Sequence, residues 1–262
     1  MNRIEKCFSD LKERNEKALI TFITAGDPEL EATERAVFEM FDNGADIIEL
    51  GVPFSDPVAE GVTIQKSSLR SLKNGTNLTK IFETVKRIRE KTEKPLILMM
   101  YINTIFVYGT DRFFADCKQY GIDGVIVPDM PFEERDEVQE FAEKYGVLNI
   151  NLVAPTSRNR IEKIATESKG FLYCVSSTGV TGVRSGYTTD FDDFFGTIKK
   201  YAKCPCAVGF GISGPEQAKK MSGYCDGVIV GSAIVRIFEE KGADAPKAAG
   251  EFVKSLKEAI LQ

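Results

Sequence analysis

Short apolar, β-branched runs alternate with longer stretches in which apolar positions recur every three or four residues, at intervals of roughly thirty residues. The first kind of spacing predicts buried strands and the second amphipathic helices. Strands are expected at Leu19–Thr24, Ile47–Leu50, Leu96–Met100, Gly124–Val127, Leu148–Val153, Phe171–Val175, Cys206–Val208 and Gly227–Val230. Helical patterns fill the gaps: Glu29–Asn43, Thr63–Asn74 and Leu78–Lys91 in the first two, then Arg112–Tyr120, Glu133–Tyr145, Arg160–Ser168, Phe191–Tyr201, Pro215–Met221 and Pro246–Leu261. Asp27-Pro28-Glu29 reads as a helix start with Asp27 as N-cap, and Ser213-Gly214-Pro215-Glu216 has capping-box spacing. Eight strand–helix repeats in one chain predict a closed (β/α)₈ barrel. An open doubly wound sheet is the alternative, because periodicity does not show closure. No linker or low-complexity stretch interrupts residues 1–262, so a single domain is expected.

One strand breaks its own pattern. Ile47-Ile48-Glu49-Leu50 is an apolar run with a carboxylate inside it, which is costly unless the group is paired, bonded or used. Gly51, Pro53 and Pro57 then stiffen a loop that carries Asp56 and Glu60. Two carboxylates at a strand end and on the following loop suit acid/base chemistry. The competing reading makes Glu49 half of a structural ion pair and leaves Asp56 and Glu60 as solvated loop acids.

Composition narrows the options. With 262 residues, 43% of them hydrophobic, the chain can bury a large core. A formal net charge of -5 argues against nucleic acid or an anionic membrane as the main partner. The N-terminus lacks the apolar core of a signal peptide, and no stretch is long and uncharged enough to span a bilayer. The six cysteines are scattered, and Cys204-Pro205-Cys206 has the wrong spacing for a zinc knuckle or a redox pair. A soluble, cytoplasmic chain with reduced thiols is expected. The sequence contains no histidine, which removes the usual general base and metal ligand. No strand end carries the lysine of a Schiff-base aldolase. The expectation is a reaction without metal or cofactor, run by Glu49 and a second acid.

The remaining strand ends suggest the substrate. Gly209-Phe210-Gly211-Ile212-Ser213-Gly214 matches G-x-G-x-x-G, but the next strand ends in Gly231-Ser232 without the acid that would bind a ribose. As barrel loops, these glycines and Ser232 at a helix start would leave N–H groups free around an anion. A phosphate-bearing small substrate is therefore favoured over a dinucleotide, with glycines serving only tight turns as the competing reading. The Gly-, Ser- and Thr-rich stretch from Ser176 to Gly186 reads as a lid or as a merely flexible connection.

With these residues in view, the sequence resembles the α chain of tryptophan synthase. The resemblance is carried by Phe22-Ile-Thr-Ala-Gly-Asp-Pro28, Ile48-Glu-Leu-Gly-Val-Pro-Phe-Ser-Asp-Pro57, Met100-Tyr101 with Asn103, Pro128-Asp129 with Pro131, Gly179-Val-Thr-Gly182, Gly209-Phe-Gly-Ile-Ser213 and Gly231-Ser-Ala-Ile-Val235. It implies a (β/α)₈ barrel that cleaves indole-3-glycerol phosphate to indole and glyceraldehyde 3-phosphate, beside a pyridoxal-phosphate β chain in an αββα assembly. It also implies Glu49 as acid/base and the acid at position 60 as partner of the indole N–H. Phe22, Tyr101, Tyr173 and Phe210 would line the organic part of the pocket. Gly182, Gly211 and Ser232 would hold the phosphate, with Thr181 in the lid. The loops Pro53–Glu60, Tyr101–Val107 and Asp129–Pro131 would face the β chain. The family pattern after Pro57, x-Ala-Asp-Gly-Pro, is here Val58-Ala59-Glu60-Gly61-Val62: the carboxylate is one methylene longer and a proline is lost. A free-standing lyase and a weakly catalytic regulatory partner are the alternatives.

Overall fold

The computed structural model describes residues 1–175, 191–209 and 211–261. Strands β1 (Ala18–Thr24), β2 (Ile47–Gly51), β3 (Leu96–Met99), β4 (Gly124–Ile126), β5 (Leu148–Asn149), β6 (Leu152–Val153), β7 (Leu172–Val175), β8 (Cys206–Gly209) and β9 (Gly227–Val230) form one all-parallel sheet. Its order, β5-β4-β3-β2-β1-β9-β8-β7-β6, has as its two ends pieces that adjoin in sequence. The amide of Ile150 donates to Val125 on one side (2.9 Å) and Tyr173 donates to Asn151 on the other (3.0 Å). The expected fifth strand is thus two short strands bent around Ile150–Asn151, and through it the cylinder closes. The sheet is a (β/α)₈ barrel rather than an open one.

Helices α1 (Arg3–Glu13), α2 (Leu30–Asp42), α3 (Val62–Lys73), α4 (Leu78–Arg89), α5 (Ile102–Tyr108), α6 (Thr110–Tyr120), α7 (Asp136–Tyr145), α8 (Ile161–Glu167), α9 (Phe191–Tyr201), α10 (Pro215–Ser222), α11 (Ser232–Lys241) and α12 (Ala245–Ile260) accompany the sheet. The outer core, Leu19, Ile48, Leu50 and Val228 among others, packs helices on the outward face of the strands. The inward face alternates with it, as a period of two requires. Ile20, Ile47, Ile97, Ile126, Ile150, Phe171, Ala207 and Ile229 fill the lower interior. Helix α1 closes that end with Ile4, Phe8 and Leu11, each buried and each worth about 1.5–3 kcal/mol. Asn2 caps α1 in a reciprocal capping box with Glu5, and Arg3 reaches buried Asp123 (3.0 Å), which also holds Arg89 (2.7 Å).

Two expected caps do not form. The N-cap of α2 is Glu29, not Asp27. Asp27 instead accepts from Ser67 Oγ (2.5 Å) and from both Nε and Nη2 of Arg70 (2.8 and 2.7 Å), pinning the β1 loop to α3. Ser213 does not cap α10, whose N-cap is Gly214; its N–H and hydroxyl both donate to Gln217 Oε1.

Candidate active site

One inward residue above the isoleucine layer on each strand, the barrel opens into a cavity of about 490 Å³. Phe22, Glu49, Met99, Tyr173 and Gly231 form its floor and lower wall. Small residues make this possible. A Cβ at Gly51 would come within 2.4 Å of Phe22 Cζ, and one at Gly209 within 2.5 Å of Tyr173 Oη. Glycine at the tops of β2 and β8 therefore gives both rings the room to lie across the barrel mouth.

Glu49 is the cross-strand neighbour of Phe22 in the β1–β2 register. It is 0% exposed, and neither carboxyl oxygen has a hydrogen-bond partner among the described residues. Burial pushes its carboxyl up to about 8, so the neutral acid and the carboxylate are both accessible near neutral pH. Among the described residues, no ion pair joins Glu49. Burial, with a contribution from Glu49, likewise raises Tyr173 well above the ordinary phenol value.

Glu60 lines the same cavity, half-buried, at the end of the loop that leads into α3. Tyr101 Oη donates to its Oε2 and accepts from the N–H groups of Val58 (3.0 Å) and Ala59 (2.9 Å). That one hydroxyl is saturated, and it fixes both the loop and the carboxylate. The Tyr101 ring stacks on Phe54, with centroids 4.9 Å apart. Burial raises Glu60; the Tyr101 bond lowers it, and Asp129 raises it further. Asp56 is exposed, bonds Ser55 (2.5 Å) and is not in the cavity wall.

The expected pocket residues divide three ways. Glu49, Glu60, Phe22, Tyr173, Gly211 and Ser232 share the cavity wall. Tyr101 does not line it and instead stands behind Glu60, because its hydroxyl is spent on the loop. Thr181, Gly182 and Phe210 lie outside the described residues. Gly211 has φ 79° with open space beside it, and Ser232 begins α11, whose first turn contains no acid. The sequence reading passed over Ile64, Met99 and Ile229, although inward parity along β3 and β9 marks the last two. It also passed over Arg236, which enters the wall from α11, four residues after Ser232. Among the described residues, no group of three or more His, Cys, Asp or Glu side chains is placed to hold a metal ion.

A (β/α)₈ barrel with a buried, unpaired carboxyl and a second seated acid in one cavity at its strand ends is an acid–base enzyme scaffold. Comparison with known proteins makes this specific. The profile of the tryptophan synthase alpha chain family matches residues 8–260. The tryptophan synthase alpha chain of Caldanaerobacter subterraneus subsp. tengcongensis is 49% identical over 262 residues, covering 99% of this chain and all of that one. That of a Thermoanaerobacter species is 50% identical over 263 residues, with the same coverage. The crystal structure of tryptophan synthase subunit alpha from Legionella pneumophila superposes with a TM-score of 0.89 at 36% identity, covering 99% of this chain and 98% of that one. The chain belongs to the tryptophan synthase alpha chain family, carbon–carbon lyases that act on indole-3-glycerol phosphate.

Proposed function

We propose that Glu49 is the acid/base for cleavage of indole-3-glycerol phosphate and that Glu60 is its electrostatic partner. The observation that carries this reading is the buried Glu49 carboxyl, without a hydrogen-bond partner among the described residues, in a cavity it shares with Glu60. Glu49 delivers a proton to indole C3 and accepts the proton of the glycerol hydroxyl on the carbon bonded to it. The C–C bond breaks, its electron pair returns to the indole, and the hydroxyl carbon becomes the aldehyde of glyceraldehyde 3-phosphate. As C3 is protonated, positive charge grows at the indole nitrogen, and the Glu60 carboxylate, oriented by Tyr101, stabilises it. Phe22 and Tyr173 sandwich the apolar part of the substrate. Gly211 and the start of α11 at Ser232 receive the phosphate through N–H groups, and Gly182, Thr181 and Phe210 are the further substrate-binding residues.

We further infer that residues 1–262 act as one barrel domain in the cytoplasm, paired with a tryptophan synthase β chain. Two features support this. All six cysteines are free thiols, and among the described residues no helix is long and apolar enough to cross a membrane. The partner face is supported by exposed apolar side chains: Val58 and Val62 on either side of Glu60 in the chain, and Phe106 and Val107 on α5, whose N-cap Tyr101 bonds the acid loop. The test is indole release from indole-3-glycerol phosphate by the purified chain, with and without a β chain. Cleavage that accelerates when the β chain is added is the expected result; no indole under either condition overturns the reading.

A further inference from the structure

We propose that Arg236 is a binding residue for the phosphate group of the substrate, an inference that rests on the reading of this cavity as an indole-glycerol phosphate site. Four residues after Ser232, Arg236 sits on the same side of α11, one turn further from its start. It lines the cavity that Gly211, Ser213 and Ser232 also line.

Charge is what makes its position informative. Among the described residues of the wall, the ionisable carboxylates are Glu49 and Glu60, and Arg236 is the single cation. A phosphomonoester brings a further charge of about −1.5 to −2 near pH 7. Against this, the first turn of α11 offers only free N–H groups and a partial positive charge of roughly half a unit. A full positive charge at the wall balances an anion that two acids would otherwise repel. No hydrogen bond or ion pair joins Arg236 to another described residue. The next charged residue on the helix is used elsewhere: Glu239 faces Lys66 (3.6 Å) and Arg70 (3.9 Å) on α3. As no described residue engages it, the guanidinium can offer two parallel N–H donors, which match two phosphate oxygens.

Arg236 is exposed, so its attraction is partly screened and depends on salt. The phosphate charge does not change as the C–C bond breaks. Its contribution therefore belongs to ground-state and transition-state binding alike and shows in KM rather than kcat.

The experiment uses the full chain with its β chain and compares the parent with Arg236→Gln and Arg236→Lys. Cleavage kinetics are measured at low salt and at about 0.5 M salt. Titrations with indolepropanol phosphate and with phosphate-free indolepropanol run alongside. Arg236→Gln should raise KM and the analogue Kd about five- to tenfold at low salt, with kcat within about twofold. Arg236→Lys should recover part of the loss, the gap should contract at high salt, and indolepropanol should bind all three alike. An Arg236→Gln protein that holds the phosphate analogue as tightly as the parent overturns the proposal, as does an equal loss for the uncharged alcohol. Failure of the parent itself to bind the phosphate analogue brings down the cavity assignment, and this inference with it.

Discussion

A buried carboxyl group with no hydrogen-bond partner is expensive to ionise, and among the described residues Glu49 is that group. Glu49→Gln should fold, because the amide is nearly isosteric and the site already prefers a neutral side chain. It should lose cleavage by ~10²-fold at least, since the amide cannot shuttle a proton; indole release measures this. Stability gives an independent check. Below about pH 4.5 the group is protonated in both folded and unfolded chains, while the folded carboxyl titrates near 8. The folded chain therefore binds the extra proton between these values, and the stability it contributes is lost as pH rises towards 8. Urea midpoints taken from pH 5 to 9 should fall more steeply for the parent than for Glu49→Gln. Tyr101→Phe should slow cleavage ~10-fold or more by releasing Glu60 and two backbone N–H groups at once, with Phe54 stacking retained; a rate equal to the parent would reduce Tyr101 to a packing residue. Glu49 was legible in the sequence because a lone acid interrupts an apolar run. The role of Tyr101 was not, because its partners lie more than forty residues back in the chain.

At the scale of elements, seven of the eight expected strands lie within a residue or two of their predicted bounds, because buried parallel strands leave unbroken apolar runs. The fifth strand was predicted whole and is split at Ile150–Asn151, a bend that no local residue announces. Helices α1 and α5 went unread, the first from its position ahead of the first strand and the second for its seven residues. Asp27 was misassigned as a cap because Ser67 and Arg70, which claim it, come some forty residues later. Helix α3 makes its own prediction. Val62 is its first residue, preceded by Gly61 in extended conformation (φ -76°, ψ 168°). Proline suits that first position, and an extended residue suits the position before it. Val62→Pro should raise stability by about 0.4–1 kcal/mol, read as a higher Tm, without displacing Glu60. A drop in Tm would mean that the Val62 N–H or side chain is already engaged.

For the whole molecule, Val58 and Val62 flank Glu60 in the chain, and Tyr101, the N-cap of the helix that carries Phe106 and Val107, bonds that same loop, so docking of a β chain there bears directly on Glu60. The isolated chain should cleave slowly and accelerate when the β chain is titrated in. Val107, 80% exposed, is suited to test the face. Val107→Asp should shift the titration midpoint upward ~10-fold, as expected for a charge placed against an apolar patch, while leaving the fully bound rate near that of the parent. The plug at the other end of the barrel has a consequence in time rather than in space. Helix α1 is synthesised before any strand of the barrel, yet the seat for Ile4, Phe8 and Leu11 draws on residues from Ile20 to Ile229. Until the ninth strand has been made, that helix lacks its full seat, and its greasy face must be tolerated or chaperoned. Sealing the bottom of the barrel is thus the act that commits a newborn chain, and synthesis cut short before the last strand leaves the first helix stranded for proteases to find.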